Sequence, residues 1–219
     1  MAKVVAMRRA PTKRRSRPKL VHQFLVVLTG TDPLVWRRLQ VPQTYSFWDL
    51  HVAIQDAMGW LDYHLHEFRL LDMSAQQVLS IGIPDDEEFA DRVVLPGWQV
   101  TLSSIFDQRS NGLTLPLSYT YDFGDDWEHV LVHEGFETAD DEHEYPRCIS
   151  GSGRCPPEDC GGVHGYADLL QILSDPKHPE YKTMRQWAGG PIQPQAFNPA
   201  AVKFDDPKKR WRRAFERQH

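Results

Sequence analysis

The sequence predicts an α+β fold: a mixed or antiparallel sheet built from hairpins with packed helices, then a Cys/Gly/Pro-rich loop and C-terminal helices. Three observations predict it. Short apolar, β-branched runs occur in pairs across turn residues; one central segment carries helical spacing; and the last part of the chain shows helical patterns separated by prolines. With 219 residues, 41% of them hydrophobic and 25% charged, the chain is long enough for one sizeable core.

Taken in order, residues 1–19 read as a disordered basic arm. Arg8, Arg9, Lys13, Arg14, Arg15, Arg17 and Lys19 alternate there with Pro11 and Pro18 and leave nothing to bury. An α+β domain is expected over 20–200. Residues 22–28 form its first strand, the turn residues 29–33 follow, and 35–41 return as a second strand. In that second strand Trp36, Arg38 and Gln40 share one face, while Val35, Arg37, Leu39 and Val41 share the other. Ser46 is placed to cap a helix over 47–58, in which Phe47, Leu50, Ile54, Ala57 and Met58 keep helical spacing until Gly59 ends it.

Residues 64–71 read as a strand with His64, His66 and Phe68 on one face, and 77–81 as its partner. An acidic loop, Asp85-Asp86-Glu87-Glu88, follows. A short apolar run at 93–95 and a helical turn at 102–106 lead to a second hairpin, 117–123 and 127–134, joined through Gly124-Asp125-Asp126. The stretch from 148 to 165 is too broken by Gly, Pro and Cys for regular structure. Helices are expected at 166–173 and 179–187, then a proline-rich extended segment. Residues 201–219 are expected to be a basic tail, with 208–217 compatible with a helix presenting Trp211 and Phe215.

The net charge of -5 conceals a partition. Residues 1–20 hold eight Lys/Arg and no acid, residues 203–219 hold seven basic and three acidic groups, and the part between holds ten basic and twenty-seven acidic ones. An acidic body with two basic ends is not a domain coated for nucleic acid, so phosphate contact falls to the ends, with Trp211 and Phe215 available for stacking or for a protein partner. No stretch approaches the roughly 20 apolar residues that cross a bilayer, and no secretory h-region is present. Three cysteines, an odd number, fit a reducing cytoplasm or a metal site better than a disulfide framework.

Two stretches carry the types of side chain that do chemistry. Asp122, Asp125 and His129 in the second hairpin, with His64 and His66 from the preceding strand, have the oxygen and imidazole ligands that suit Mg²⁺, Mn²⁺ or Zn²⁺. Glu158 or Asp159 would then activate water, making a metal-dependent hydrolase, a nuclease among the options. The bland alternative is a set of hydrogen-bonded strand histidines and turn-capping acids. The second stretch, Cys148, Cys155, Cys160 and His164, offers four ligands for a structural zinc, against reduced thiols packed in a rigid loop or a cysteine nucleophile.

Five separated motifs carry a resemblance. Val35-Trp36-Arg37-Arg38 comes first, then Leu50-His51-x-x-Ile54-Gln55-x-x-Met58-Gly59-Trp60 and His64-Leu65-His66-x-Phe68. They are followed by Tyr119-x-Tyr121-Asp122-Phe123-Gly124-Asp125-x-Trp127-x-His129 and by Cys155-Pro156-Pro157-Glu158-Asp159-Cys160-Gly161-Gly162. In this order they resemble the plasmid pRiA ORF-three-like family, some of whose members travel with insertion elements under a resolvase-like label. The resemblance implies an α+β domain and a plasmid or mobile-element accessory protein, expected to bind protein or nucleic acid. It implies no reaction. No recombinase signature accompanies the label, which is read as an association with mobile DNA.

Overall fold

The computed structural model describes residues 19–72, 74, 76–84, 93–106 and 116–216. The basic arm, with Arg8, Arg9, Lys13, Arg14, Arg15 and Arg17, and the acidic loop at 85–88 lie outside the described residues. Eight strands form one mixed sheet in the order β5-β4-β3-β6-β7-β1-β2-β8. They are β1 (Leu20–Leu28), β2 (Val35–Pro42), β3 (His66–Leu71), β4 (Gln77–Gly82), β5 (Val94–Pro96), β6 (Leu117–Tyr121), β7 (Trp127–Thr138) and β8 (Arg147–Ser152). Every pairing is antiparallel except β4 with β5.

One face of the sheet is covered. In β1 the inward series His22, Phe24, Val26 and Leu28 is buried, and in β7 Trp127, His129 and Leu131 alternate with exposed Glu128, Val130 and Val132. This half-wet alternation is what an antiparallel sheet allows. Helix α1 (Phe47–Met58) lies on the covered face, with Phe47, Leu50 and Ile54 fully buried and the Phe47 ring 5.1 Å from that of Phe68. Side chains of this size contribute roughly 1.5–3 kcal/mol each when fully buried. Local chemistry sets the ends of α1: Ser46 and Asp49 form a reciprocal capping box, and Gly59 closes the helix at φ 87°.

Beyond the sheet come α2 (Leu102–Ile105), α3 (Gly162–Ser174), α4 (Tyr181–Trp187), a 3-10 turn at Pro199–Ala201 and α5 (Pro207–Phe215). Three features differ from the sequence expectation, the first being that α3 begins at Gly162, inside the stretch 148–165 expected to lack regular structure. Residues 148–152, expected to be irregular, lie in β8, because pairing with β2 supplies the hydrogen-bond partners that a Cys/Ser/Gly run cannot specify by its own pattern. Gly151 is needed there, since a Cβ would stand 2.5 Å from the Phe197 ring. The C-terminal segment is a docked helix rather than a tail. Trp48 Nε1–H donates to the Pro207 carbonyl at 3.0 Å, Phe215 packs 5.5 Å from Trp48, and Trp211 lies 6.1 Å from Trp98. Arg210 reaches Asp56 at 2.6 Å, and Arg213 pairs with Asp205.

Candidate metal centre

Strand β3 begins at His66, so His64 sits in the preceding loop and does not share a strand face with it. That one step separates the two imidazoles. His66 is buried beneath α1, its ring stacked on that of His51 at 3.5 Å between centroids and 8° between planes. His64 instead faces the hairpin turn, with Nε2 3.5 Å from Asp122 Oδ2 and 3.1 Å from Asp159 Oδ1.

Three segments therefore meet at one rim of the sheet: the loop before β3, the turn after β6 and the loop before α3. The ligand atoms of His64, Asp122 and Asp159 all lie within 4.8 Å of one another, which is true of no other three His, Cys, Asp or Glu among the described residues. Asp122 and Asp159 hold left-handed backbone at φ 58° and 57°, a conformation that aspartate tolerates better than most residues. The Asp122 carboxylate also accepts from the Gly124 N–H at 2.9 Å, which fixes it over the turn. Asp159 is two-thirds exposed at its side chain, so the centre opens to solvent.

The loop that carries Asp159 is held in place by its neighbours. Asp125 Oδ2 accepts the Gly161 N–H at 3.1 Å, and a Cβ at Gly162 would stand 2.4 Å from the Asp125 carbonyl oxygen, so only glycine permits this approach. The Tyr121 hydroxyl donates to Glu158 Oε1 at 2.6 Å and accepts the Tyr63 N–H at 3.0 Å. Burial and the adjacent Glu158 push the Tyr121 phenol well above its ordinary range, so it remains a donor. Asp125 and Tyr121 are thus positioning groups.

The other residues singled out in the sequence are elsewhere. His129 is buried, and its Nδ1 lies 3.0 Å from the Trp127 carbonyl and 3.1 Å from the Tyr119 carbonyl; desolvation lowers its pKa to about 4. His66 is driven well below its ordinary value by burial and by His51 beside it. Both are interior imidazoles, not ligands of the rim. His51 stands in the Leu50-His51-x-x-Ile54-Gln55 motif but not among the candidate ligands, and it bridges the Tyr119 hydroxyl and Asp62 Oδ1, each at 2.8 Å.

The cysteine loop also departs from its expectation. No three of Cys148, Cys155, Cys160 and His164 bring ligand atoms within 4.8 Å of one another. The reason is topological: Cys148 is fixed in β8 opposite Leu39, whereas Cys155 and Cys160 belong to the loop that crosses to the rim. Burial raises all three thiols, that of Cys160 to about 12, which disfavours a thiolate nucleophile. The aromatic residues expected to stack on a partner, Trp211 and Phe215, are spent on Trp98 and Trp48.

Residues 20–204 match the family model of the plasmid pRiA4b ORF-3-like proteins. The chain belongs to that plasmid-associated family. This pRiA4b ORF-3-like chain is 34% identical over 206 residues to the uncharacterized protein y4hQ of Sinorhizobium fredii, covering 90% of this chain and 97% of that one. A solved structure, the protein of unknown function MM3350 from Methanosarcina mazei Go1, is 36% identical with a TM-score of 0.74, covering 86% of this chain and 100% of that one. Among the described residues no helix is long and apolar enough to cross a membrane.

Proposed function

We propose that this pRiA4b ORF-3-like protein is a divalent-cation-dependent hydrolase whose ion is held by His64, Asp122 and Asp159. The observation that supports this is the convergence of one imidazole and two carboxylates from three separate loops, on a rim open to solvent. One nitrogen and two oxygen ligands suit Mn²⁺, Zn²⁺ or Mg²⁺ and leave coordination positions for water and substrate. The cation would lower the pKa of bound water and polarise the ester under attack. Glu158, next in sequence to a ligand and oriented by Tyr121, is the base assigned to that water.

The test is equilibrium binding of Mn²⁺ to the full chain, followed by a screen of phosphate and carboxylate esters with each metal. One ion per chain is expected. Asp122→Asn or Asp159→Asn should weaken it by roughly 10–100-fold and remove turnover while the chain stays folded. Binding that these variants leave unchanged overturns the site; binding without turnover on any ester overturns the hydrolase reading and leaves a cation-binding module.

A further inference from the structure

Arg37 lies on the inward face of β2 and is 1% exposed. A buried cation normally has a carboxylate partner, because leaving its charge uncompensated costs several kcal/mol. This one has none among the described residues. Its Nε–H donates to the Ala57 carbonyl at 2.8 Å, and its Nη1 donates to the carbonyls of Trp36 and Ser152, both at 2.8 Å. Those bonds orient the guanidinium without neutralising it. Phe197 covers one face of it at 3.6 Å, and Nη2 makes no hydrogen bond within the described protein. Desolvation pulls the Arg37 pKa below its ordinary value, as expected of a charge awaiting a counterion.

Arg37 lines a cavity of about 590 Å³, within the roughly 300–1,000 Å³ typical of small-molecule sites. Two further cations, Arg154 and Lys203, line the same cavity and are exposed, with no ion pair among the described residues. Of the two acids in its wall, Asp56 is paired with Arg210 at 2.6 Å and accepts the Asp205 N–H at 2.8 Å, whereas Glu158 accepts the Tyr121 hydroxyl and the Leu61 N–H, which orient its carboxylate without neutralising it. Three cations against one carboxylate that lacks a cationic partner among the described residues leave the charge balance of the cavity positive, in a body that is otherwise acidic. Trp60 adds an aromatic side chain to the lining.

We infer that this cavity is a binding site for a small phosphate-bearing molecule, its phosphate held by Arg37 from within and by Arg154 and Lys203 at the mouth, with Phe197 and Trp60 as apolar walls. Three cations without acid partners match a phosphate dianion better than a carboxylate, and the planar fork of arginine suits its oxygens. The site does not depend on the cation centre, although Glu158 lines the cavity and its neighbour Asp159 belongs to that centre.

The test uses the full chain with a chelator present, so that the rim carries no ion. Inorganic phosphate, acetate and chloride are titrated at matched ionic strength by calorimetry and by thermal unfolding. Phosphate is expected to bind and to raise the unfolding midpoint in proportion to its concentration, as a ligand selective for the native state must. Arg154→Ala and Lys203→Ala, both at exposed positions, should each weaken phosphate about fivefold or more without lowering the midpoint of the free protein. Arg37→Gln should abolish binding; should that variant fail to fold, the two exposed variants still decide. No binding, an equal effect of chloride, or phosphate affinity untouched by Arg154→Ala and Lys203→Ala overturns the site. Acetate binding as tightly as phosphate overturns the phosphate assignment.

Discussion

The interior under α1 and the rim beside it use the same side chains to opposite ends. Within the interior, His22, His51, His66 and His129 are buried together with the aromatic residues Phe24, Phe68, Tyr119 and Trp127. At the rim, His64 stands 29% exposed between two carboxylates. His64 and His66 are two residues apart, and the difference between them is whether the strand has begun. An imidazole inside the sheet is desolvated and kept neutral; the one in the loop is partly exposed and faces two carboxylates, which is the setting a cation needs.

Acidification should separate the two regions most strongly. His22, His129 and His133 are each lowered to about 4 by burial, and His66 is lower than its ordinary value as well. A histidine whose folded pKa is depressed contributes stability above its unfolded value of 6.5, and that contribution is lost as pH falls toward 4, because the unfolded chain takes up the protons. The unfolding free energy should therefore drop by roughly 3 kcal/mol for each such histidine between pH 7 and pH 4. A denaturant midpoint that is flat across this window would break the comparison.

A smaller effect is expected from His66→Leu. Both His66 ring nitrogens are buried without a hydrogen-bond partner among the described residues. An apolar side chain of similar size removes that desolvation cost, so stability at neutral pH should hold or rise by up to about 1 kcal/mol, and the loss on acidification should shrink. Denaturant titration at pH 7 and pH 5 reads both. A large destabilisation at pH 7 would show that the stacked pair with His51 contributes more than its unpaired nitrogens cost.

The smallest effect on stability belongs to the rim. Asp159→Ala should change the unfolding free energy by no more than about 0.5 kcal/mol, because the side chain is exposed and its contact with His64 is screened by water. A loss comparable to a core truncation would mean that the cluster is a structural clasp.

Much of the fold was legible because its signals are local. The Ser46 cap, the Gly59 stop and the alternation of 35–41 are written in adjacent residues, and α1, β1, β2 and the Gly124 hairpin follow them. Strand β8 was not, because its side chains carry no period and its pairing is supplied by β2. The site was legible in composition but not in membership. His64, Asp122 and Asp159 stood among the sequence candidates, as did His66 and His129, and nothing in their spacing told the rim from the interior.

The sequence alone determined an acidic body with basic ends, a capped central helix, hairpins on either side of it and the family to which the chain belongs. These depend on neighbouring residues and on ordered motifs. The tertiary structure decided that two distant loops close on His64, that the cysteines stay apart, that the C-terminal helix folds back onto Trp48, and that Arg37 is buried without an anion among the described residues. Each of these depends on which loops the sheet order brings to the same edge, and on which charges the core removes from water, neither of which any local pattern encodes.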